Sequence, residues 1–251
     1  PPAVTAVPDE VESGANNAHR VLLPGWIRDK LSPEKTLPRP LNPSGARALI
    51  DKALIRDPVV SSPFAQANET KAESQPRLRG TALHKLLQSL PNMDPDSRDA
   101  AANAYLKRKL PDSTPAARQT MINAVNTVIE DPELVACFDP SHSHGEVPLM
   151  GRIEGKDRPL VVSGTIDRLA VLEDRVLVLD YKTSPNVPDT ENKIPQDHVM
   201  QMALYRALIH RLYPEKSVHC LLIWTHASPQ PVTMEVSHEA MDAAMDKIAQ
   251  V

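Results

Sequence analysis

The sequence is poor in cysteine and aromatic residues, and it has no long apolar run. Its 251 residues include only two cysteines, Cys137 and Cys220, and 3% aromatic residues. Two cysteines are too few for a disulfide scaffold or a four-cysteine iron–sulfur cluster, so we expect neither and favour a reducing, cytoplasmic setting. No apolar run approaches the roughly 20 residues of a membrane span, and no signal peptide is visible. We therefore expect no membrane partner.

An excess of positive charge is also absent. Lys and Arg together number 28 against 32 Asp and Glu, which gives a net charge of −4 and an isoelectric point near 6.2. No global basic field indicates a nucleic-acid partner, which counts mildly against DNA binding. It does not exclude such binding, because the acids of an active site contribute negative charge that a metal ion would neutralise.

Glycine is scarce as well, at eight residues. The phosphate-binding loop G-x-x-x-x-G-K-[ST] does not occur, since Gly155-Lys156 is followed by Asp157. We do not expect this chain to hydrolyse ATP by itself.

Proline, by contrast, is abundant near the start of the chain. Of the 25 prolines, 11 fall in residues 1–76, where Ser, Asn, Ala and charges show little periodicity. We interpret residues 1–76 as a Pro-rich linker with short docking pieces, namely an apolar patch around Trp26 and a helix over 46–55. Plain disorder remains an alternative for the first 20 residues. The chain begins with Pro-Pro and lacks an initiator Met, which suggests a piece of something longer.

Residues 77–251 alternate between helical and strand patterns and are predicted to form one domain. A leucine stripe predicts a helix over 79–90 with Thr81 as its cap, and Thr114 caps a later helix. The predicted elements are helices over 79–90, 97–110, 115–130 and 199–212, strands over 146–150, 161–172, 175–181, 217–225 and 232–236, and a last helix from His238. This order describes an α/β domain with a mixed central sheet.

The chain is organised around residues 161–182, where two apolar runs flank a polar break at 173–174. The runs are rich in Val, Leu and Ile and predict two strands, and the break predicts a hairpin turn. A hairpin symmetric about the break pairs residues whose numbers sum to 347. Asp167 then faces Asp180 at a Cβ separation of about 4.5–5.5 Å. Asp180 and Lys182 share one face, because side chains alternate along a strand.

Two carboxylates that face each other within apolar strands repel, and burial penalises each charge further. A divalent cation between them would offset that cost, and Mg²⁺ typically binds through one or two carboxylates, waters and phosphate oxygens. With Lys182 pointing at the same spot, the arrangement suits metal-assisted attack on a phosphodiester. The alternative is a plain salt bridge of Asp180 or Asp167 with Lys182 or Arg168.

His84 lies on the edge of the leucine stripe, where a histidine is either a rim residue or a ligand that reaches into a cleft. Arg77, Arg79 and Lys85 form a small basic cluster beside it. These three side chains suit phosphate contacts, or they form a solvated face.

Two further pairs of polar residues are open to both a structural and a functional interpretation. His142 and His144 lie in a predicted loop and are either exposed or metal-binding. Gln201 and Tyr205 are four residues apart and share a helix face. They either hydrogen-bond a phosphate and brace the site, or they are a surface Gln beside a half-buried Tyr.

Four short motifs, in this order, resemble the RecB-like branch of the PD-(D/E)XK nucleases, and within it the C-terminal nuclease domain of AddA-type helicase–nucleases. The motifs are Gly80-Thr-Ala-Leu-His84, Gly164-Thr-Ile-Asp167, Asp180-Tyr-Lys182-Thr and Gln201-Met-Ala-Leu-Tyr205. The likeness runs from about residue 77 to the end. It implies a restriction-endonuclease-like core, with a mixed central β-sheet flanked by helices and preceded by an extended N-terminal linker.

The resemblance also implies roles for individual residues. It makes His84, Asp167 and Asp180 metal ligands, together with the carbonyl of Tyr181, and it makes Lys182 the residue that orients the attacking water. A second metal ion would bind only with DNA. Two further predictions concern the accessory helix motif, Gln201 and Tyr205, and an acidic position, Glu146.

The function implied by the resemblance is that of a Mg²⁺-dependent exonuclease domain, with Mn²⁺ as a possible substitute, in a helicase–nuclease of double-strand-break repair and recombination. The implied partners are single-stranded DNA, the helicase portion of the same polypeptide and an AddB-like subunit, in the bacterial cytoplasm. Two alternatives stay open. One is a non-catalytic module that docks DNA or a partner, and the other is a stand-alone endonuclease of the same superfamily.

Overall fold

The computed structural model describes residues 40–45, 71–156, 159–226 and 230–250 of the chain. In this part of the chain, five strands form one sheet in the order β1-β2-β3-β4-β5. The strands are β1 (Ser143–Ile153), β2 (Leu160–Val171), β3 (Arg175–Lys182), β4 (Ser217–Trp224) and β5 (Val232–Val236). β3 and β4 are parallel, and the other neighbouring pairs are antiparallel. The predicted mixed sheet is confirmed.

Helices cover both faces of this sheet. They are α1 (Lys71–Ser89), α2 (Pro95–Lys109), α3 (Pro115–Ile129), α4 (Gln196–Leu212) and α5 (His238–Ala249). The parallel strands β3 and β4 are joined through α4, as parallel neighbours require a crossover connection. None of the helices in the described ranges is long and apolar enough to cross a membrane.

The sheet separates two hydrophobic cores. On one face, Val178 shares a core with Met202 of α4 and Met241 of α5. On the other face, Leu179 shares a core with Leu87 of α1 and with residues of α2 and α3. Because both faces are buried, the central strands are apolar nearly throughout rather than alternating. Polar side chains within these strands therefore need specific partners.

The central hairpin has the register that its sequence predicts. The paired residues run from Arg168↔Leu179 to Val171↔Val176, and the numbers of each pair sum to 347. The amide of Leu172 donates to the carbonyl of Arg175 at 2.9 Å and closes the turn. The ladder stops at Arg168↔Leu179, so the next pair on that register, the two aspartates, lies where the strands separate.

The first helix differs from its prediction. α1 begins at Lys71 rather than at residue 79, and Pro76 lies inside it. Thr81 is therefore not a cap; its hydroxyl donates to the carbonyl of Arg77 at 3.0 Å within the helix. The prediction was wrong because the leucine stripe that indicates the helix begins only at Leu83 and so does not reveal the earlier helical residues. Pro76 is tolerated there at the cost of one helical hydrogen bond.

Other local predictions hold. Thr114 caps α3, since its hydroxyl oxygen accepts from the amide of Ala117 at 3.1 Å. The leucine stripe of α1 is buried. The first strand differs from its prediction: β1 starts at Ser143, three residues before the predicted strand, because its first residues pair with the end of β2. His144 therefore lies in a strand and not in the predicted loop.

Part of the predicted linker contacts the sheet. Leu41 forms a parallel bridge with Val162, and its amide donates to the carbonyl of Val161 at 2.7 Å. A one-turn helix, Pro43–Gly45, follows. The predicted apolar patch around Trp26 and the predicted helix over 46–55 lie outside the described residues. The domain boundary between residues 76 and 77 stays a prediction.

Candidate active site

The candidate site lies where the sheet is interrupted. In the β1–β2 ladder, Gly145↔Arg168 and Val147↔Ile166 are paired, but the residues between them, Glu146 and Asp167, are not. The β2–β3 ladder stops one residue short of Asp167 as well. The three acidic residues Glu146, Asp167 and Asp180 therefore occupy one row across β1, β2 and β3, at the point where hydrogen bonding between these strands opens.

The strands also change the direction of their side chains at this row. Gly145 lies against Gln88 of α1, whereas Val147, two residues on, packs on the core under α4. Regular alternation would place both on one face. Glu146, between them, has a φ of 55°, a value that non-glycine residues adopt at a cost. Backbone strain of this kind is concentrated at functional sites.

The side chain of Asp167 lies where the backbone pairing between β2 and β3 has stopped. Its Oδ2 accepts a hydrogen bond of 2.7 Å from the amide of Tyr181, which is not paired with β2 through its backbone. The carboxylate thus lies between β2 and β3 instead of on one face. Its second oxygen, Oδ1, lies 3.4 Å from Nδ1 of His84.

α1 brings His84 to this carboxylate. The imidazole packs edge-on against the ring of Tyr181, with centroids 5.5 Å apart. Gly80, one turn earlier, allows the helix to approach the end of β3, because a Cβ at this position would lie 2.8 Å from Oγ1 of Thr183. A glycine is therefore needed there by close packing.

His84, Glu146 and Asp167 form a group of potential metal ligands, with one ligand atom from each within 4.8 Å of the others. One imidazole and two carboxylates suit a divalent cation. Burial lowers the pKa of His84, but the hydrogen bond to Asp167 and the negative charges of Asp167, Asp180 and Glu146 outweigh it. The pKa of His84 is raised as a result.

Asp180, at the buried end of the row, is bonded to other partners. Its Oδ2 lies 2.7 Å from Nζ of Lys182, and its Oδ1 accepts from Nε2 of Gln201 at 2.7 Å. Nζ of Lys182 also donates to Oε1 of Gln201 at 2.8 Å, which closes a triangle of three side chains. Burial raises the pKa of Asp180 to about 6, although the Lys182 charge lowers it.

The structure thus contains the salt bridge that sequence reasoning offered as the alternative, next to the ligand group rather than in its place. Asp180 is not one of the three residues within 4.8 Å. Its charge still raises the pKa of His84, so the two groups are electrostatic neighbours. That Asp167 and Asp180 bind a common ion stays a prediction.

The accessory helix residues contact the same strands. Gln201 belongs to the triangle, and the hydroxyl of Tyr205 donates to the carbonyl of Thr165 at 2.7 Å. Gly164 leaves room for this hydroxyl, since a Cβ there would lie 3.2 Å from it. The interpretation of the pair as a surface Gln beside a half-buried Tyr is wrong, because both side chains are buried.

Arg168 is a residue that sequence reasoning considered only as a salt-bridge partner. It is 2% exposed. Its Nη2 donates to the carbonyl of Leu87 at 2.8 Å, its Nη1 to Oγ of Ser143 at 3.0 Å and its Nε to the hydroxyl of Tyr181 at 3.2 Å. The guanidinium also lies 4.8 Å from the centroid of Phe138. Arg168 thus joins the end of α1 to β1, β2 and β3 directly behind the ligand group.

The other predicted site residues have different surroundings. His142 bonds the carbonyl of Ala136 at 2.8 Å, and neither it nor His144 belongs to the ligand group. Tyr181 contributes its amide and hydroxyl to the bonds described above; the role of its carbonyl as a metal ligand stays a prediction. An open depression of about 700 Å³ lies over the ligand group, and Arg77 and Lys85 are among its lining residues.

Comparisons with known sequences match this chain to nucleases. Residues 63–250 match the family model of the PD-(D/E)XK nuclease superfamily. Over 158 residues the chain is 27% identical to an ATP-dependent helicase/nuclease subunit from each of three Streptococcus agalactiae strains. This alignment covers 61% of the chain but only 13% of the length of those relatives.

Solved structures with a detectable likeness are more distant. SSO0001 is 15% identical at a TM-score of 0.32, with 70% of this chain and 85% of that chain covered. A protein from Eubacterium rectale is 11% identical at a TM-score of 0.37, with 65% and 64% covered. Both TM-scores lie below 0.5, and the family assignment rests on the sequence match.

Proposed function

The chain belongs to the PD-(D/E)XK nuclease superfamily, and on this premise we propose that it hydrolyses phosphodiester bonds of DNA with the aid of a divalent cation. The observation that carries the proposal is the placement of His84, Glu146 and Asp167 within 4.8 Å of one another. Next to them, Lys182 lies 2.7 Å from Asp180. The ligands for a cation thus line an open depression, and a held positive charge lies next to them.

In this proposal, His84, Glu146 and Asp167 hold the cation, and Asp180 and the carbonyl of Tyr181 complete its ligands. When bound, such a cation neutralises phosphate oxygens and lowers the pKa of water. Mg²⁺ takes oxygen ligands, whereas an imidazole in the donor set also suits transition metals. We therefore expect Mg²⁺ to support activity and Mn²⁺ to replace it.

Lys182 supplies a fixed positive charge beside the ligand group. Asp180 and Gln201 hold its ammonium from two sides, at 2.7 and 2.8 Å. A charge that is positioned before the reaction stabilises negative charge that develops on a phosphate, and it does so without reorganisation. We propose that Lys182 also orients the attacking water. Gln201 acts by holding Asp180 and Lys182 together.

We extend the proposal to the larger protein. The Streptococcus agalactiae relatives are named as helicase/nuclease subunits, and this chain corresponds to 13% of their length. We propose that it is the exonuclease domain of a repair and recombination helicase–nuclease of the bacterial cytoplasm. Its substrate would be single-stranded DNA delivered by a helicase in the same polypeptide, and its protein partner would be an AddB-like subunit.

The test is cleavage of end-labelled linear single-stranded DNA in Mg²⁺. We expect Asp180→Asn and Lys182→Ala each to lower kcat by about 100-fold or more, the size of effect seen when one preorganised electrostatic group is removed. The matched control is Asp189→Asn, which removes an exposed Asp–Lys pair with the same 2.7 Å separation. It should cut at the original rate.

Two outcomes would contradict the proposal. One is cleavage by Asp180→Asn at the rate of the unaltered chain. The other is DNA binding without any cleavage in Mg²⁺ or Mn²⁺, which would favour the non-catalytic docking module.

A further inference from the structure

The side chain of Arg79 has no hydrogen-bond or ion-pair partner among the described residues. It lies on α1, one residue before the glycine that touches Thr183. On a helix, residues four apart share a face, so Arg79 and Leu83 lie together on a face next to the one that carries Gly80 and His84. Arg79 does not line the depression over the ligand group, although its neighbour Gly80 does.

Three depressions meet at Arg79, and two of them also share Leu83 and His226. The first, of about 320 Å³, shares Gly80 and Thr183 with the depression over the ligand group. The second, of about 190 Å³, lies between α1 and α3 and shares Arg79, Leu83 and His226 with the first. Together they form one groove, here called the Arg79 groove, that leads away from the candidate active site along α1.

The lining of the Arg79 groove is complementary to a polyanion. None of the described residues that line these two depressions is acidic, and Arg79 is their only Lys or Arg, whereas Asp112 lines the third depression at Arg79. The α3 wall presents neutral polar side chains, among them Thr120, Asn123 and Thr127. His226 stands exposed at the groove and offers a ring for stacking. A positive charge beside a stacking surface is the usual composition of a single-strand binding groove.

We propose that the Arg79 groove binds one DNA strand on one side of the bond that is cut, with Arg79 on a backbone phosphate and His226 against a base. This inference rests on the proposed function, because it assumes that DNA occupies the depression over the ligand group. It names the residues that hold the flanking strand. The two depressions, of about 320 and 190 Å³, are each of the order of one nucleotide in size.

Binding is measured on the full chain carrying Asp180→Asn, in which cleavage is disabled, with a fluorescent 15-nucleotide single strand in Mg²⁺. Addition of Arg79→Ala should raise Kd about tenfold, since a charge-assisted contact is lost. The slope of log K against log salt should become shallower by about 0.7, the value for one phosphate contact on a single strand. Arg79→Lys should keep that slope, because the charge remains.

The matched control is Lys247→Ala, which removes an exposed charge from α5, away from the groove. It should leave Kd and the salt slope unchanged. His226→Ala should weaken binding severalfold without a change in the slope, because it removes stacking rather than charge. A hairpin duplex without single-stranded ends should bind Arg79→Ala and its parent equally.

Failure of the groove and failure of the nuclease proposal give different results. Equal Kd and slope for Arg79→Ala and Lys247→Ala would overturn the groove, as would an Arg79 effect confined to the duplex or a parent protein that does not bind the strand. Cleavage by the chain without Asp180→Asn is measured separately and tests the nuclease proposal alone.

Discussion

Asp180 is buried, and the positive charge of Lys182 offsets the cost of burying its carboxylate only in part. It is 4% exposed, and burial raises its pKa to about 6 despite the Lys182 charge 2.7 Å away. The sequence identified this residue correctly as the member of an apolar strand that needs a positive partner. It could not say which partner, since a lysine two residues on and a metal ion offset the same charge.

The raised pKa predicts a dependence of stability on pH. Between its ordinary pKa of 3.8 and about 6, the folded Asp180 binds more protons than the unfolded chain, so its contribution to stability falls as the pH rises. Relative to Asp180→Asn, the metal-free chain should therefore lose unfolding free energy from pH 4 to pH 7. Urea unfolding at both pH values measures this, with Asp189→Asn as the control.

A difference between the two proteins that stays constant from pH 4 to pH 7 would contradict the raised pKa. A difference that grows in favour of the unaltered chain at higher pH would contradict its sign.

Glu146 shows the limit of sequence reasoning at this scale. Its φ of 55° and the change of side-chain direction on either side of it place it in the ligand group. Strand alternation, the rule that predicted the faces of the hairpin residues, does not apply at that row. Glutamate rarely adopts a positive φ, so the sequence gives no sign of the backbone distortion at Glu146.

At the scale of elements, α1 is the helix that completes the site. It contacts the sheet through Gly80 against Thr183, through His84 against Asp167 and through its Leu87 carbonyl. The sequence predicted the leucine stripe and the position of His84, because both follow from helical periodicity. It placed the start of the helix too late, because the leucine stripe that indicates the helix begins only at Leu83.

Gly80→Ala should displace α1 from the end of β3 and weaken metal binding. The new Cβ would lie 2.8 Å from Oγ1 of Thr183, and His84 is one turn away. We expect a severalfold rise in the Kd for Mn²⁺, measured by calorimetry. Gly45→Ala is the control, because no atom lies within 4 Å of a Cβ at that position.

The double variant Gly80→Ala/Thr183→Ala separates crowding from other effects of the alanine, since it removes the nearest atom. It should recover most of the lost affinity. An unchanged Kd in Gly80→Ala, or no recovery in the double variant, would contradict the role of this close approach.

Arg168→Met should lower the unfolding free energy by about 3 kcal/mol or more, because three buried acceptors lose a charged donor. These acceptors lie on α1, β1 and β3, so the loss affects the attachment of α1 to the sheet. Arg175→Met is the control on the same hairpin, since its ion pair with Asp174 is exposed and contributes little. Urea unfolding compares the two.

A loss of less than about 1 kcal/mol for Arg168→Met would contradict this role. The sequence left Arg168 unassigned because its neighbour Asp167 suggested a simple ion pair, whereas the structure gives it backbone and hydroxyl acceptors on the opposite side.

At the scale of the whole molecule, the helices on the two faces of the sheet supply different residues of the candidate active site. α4 and its core supply Gln201, which holds Asp180 and Lys182, and α1 and its core supply His84 on the other side. The order of elements and the mixed sheet were predictable from periodicity and the hairpin. That residues from both faces of the sheet come together at the row of Glu146, Asp167 and Asp180 could not be predicted. It depends on a backbone distortion that the sequence does not indicate.

The proposed role as an exonuclease fed by a helicase predicts a need for strand ends. A linear single strand should be degraded, and the same sequence as a closed circle should persist under identical conditions. Gel analysis of both substrates in Mg²⁺ measures this. Cleavage of the circle at the rate of the linear strand would instead favour the stand-alone endonuclease.

The most direct test of the central claim is anomalous diffraction from a crystal of the chain soaked in Mn²⁺. We predict one peak within coordination distance of His84, Glu146 and Asp167, and its loss in Asp167→Asn. Absence of a peak at these residues at saturating Mn²⁺, or a peak that persists unchanged in Asp167→Asn, would contradict the claim that this row of the sheet is a metal-dependent active site.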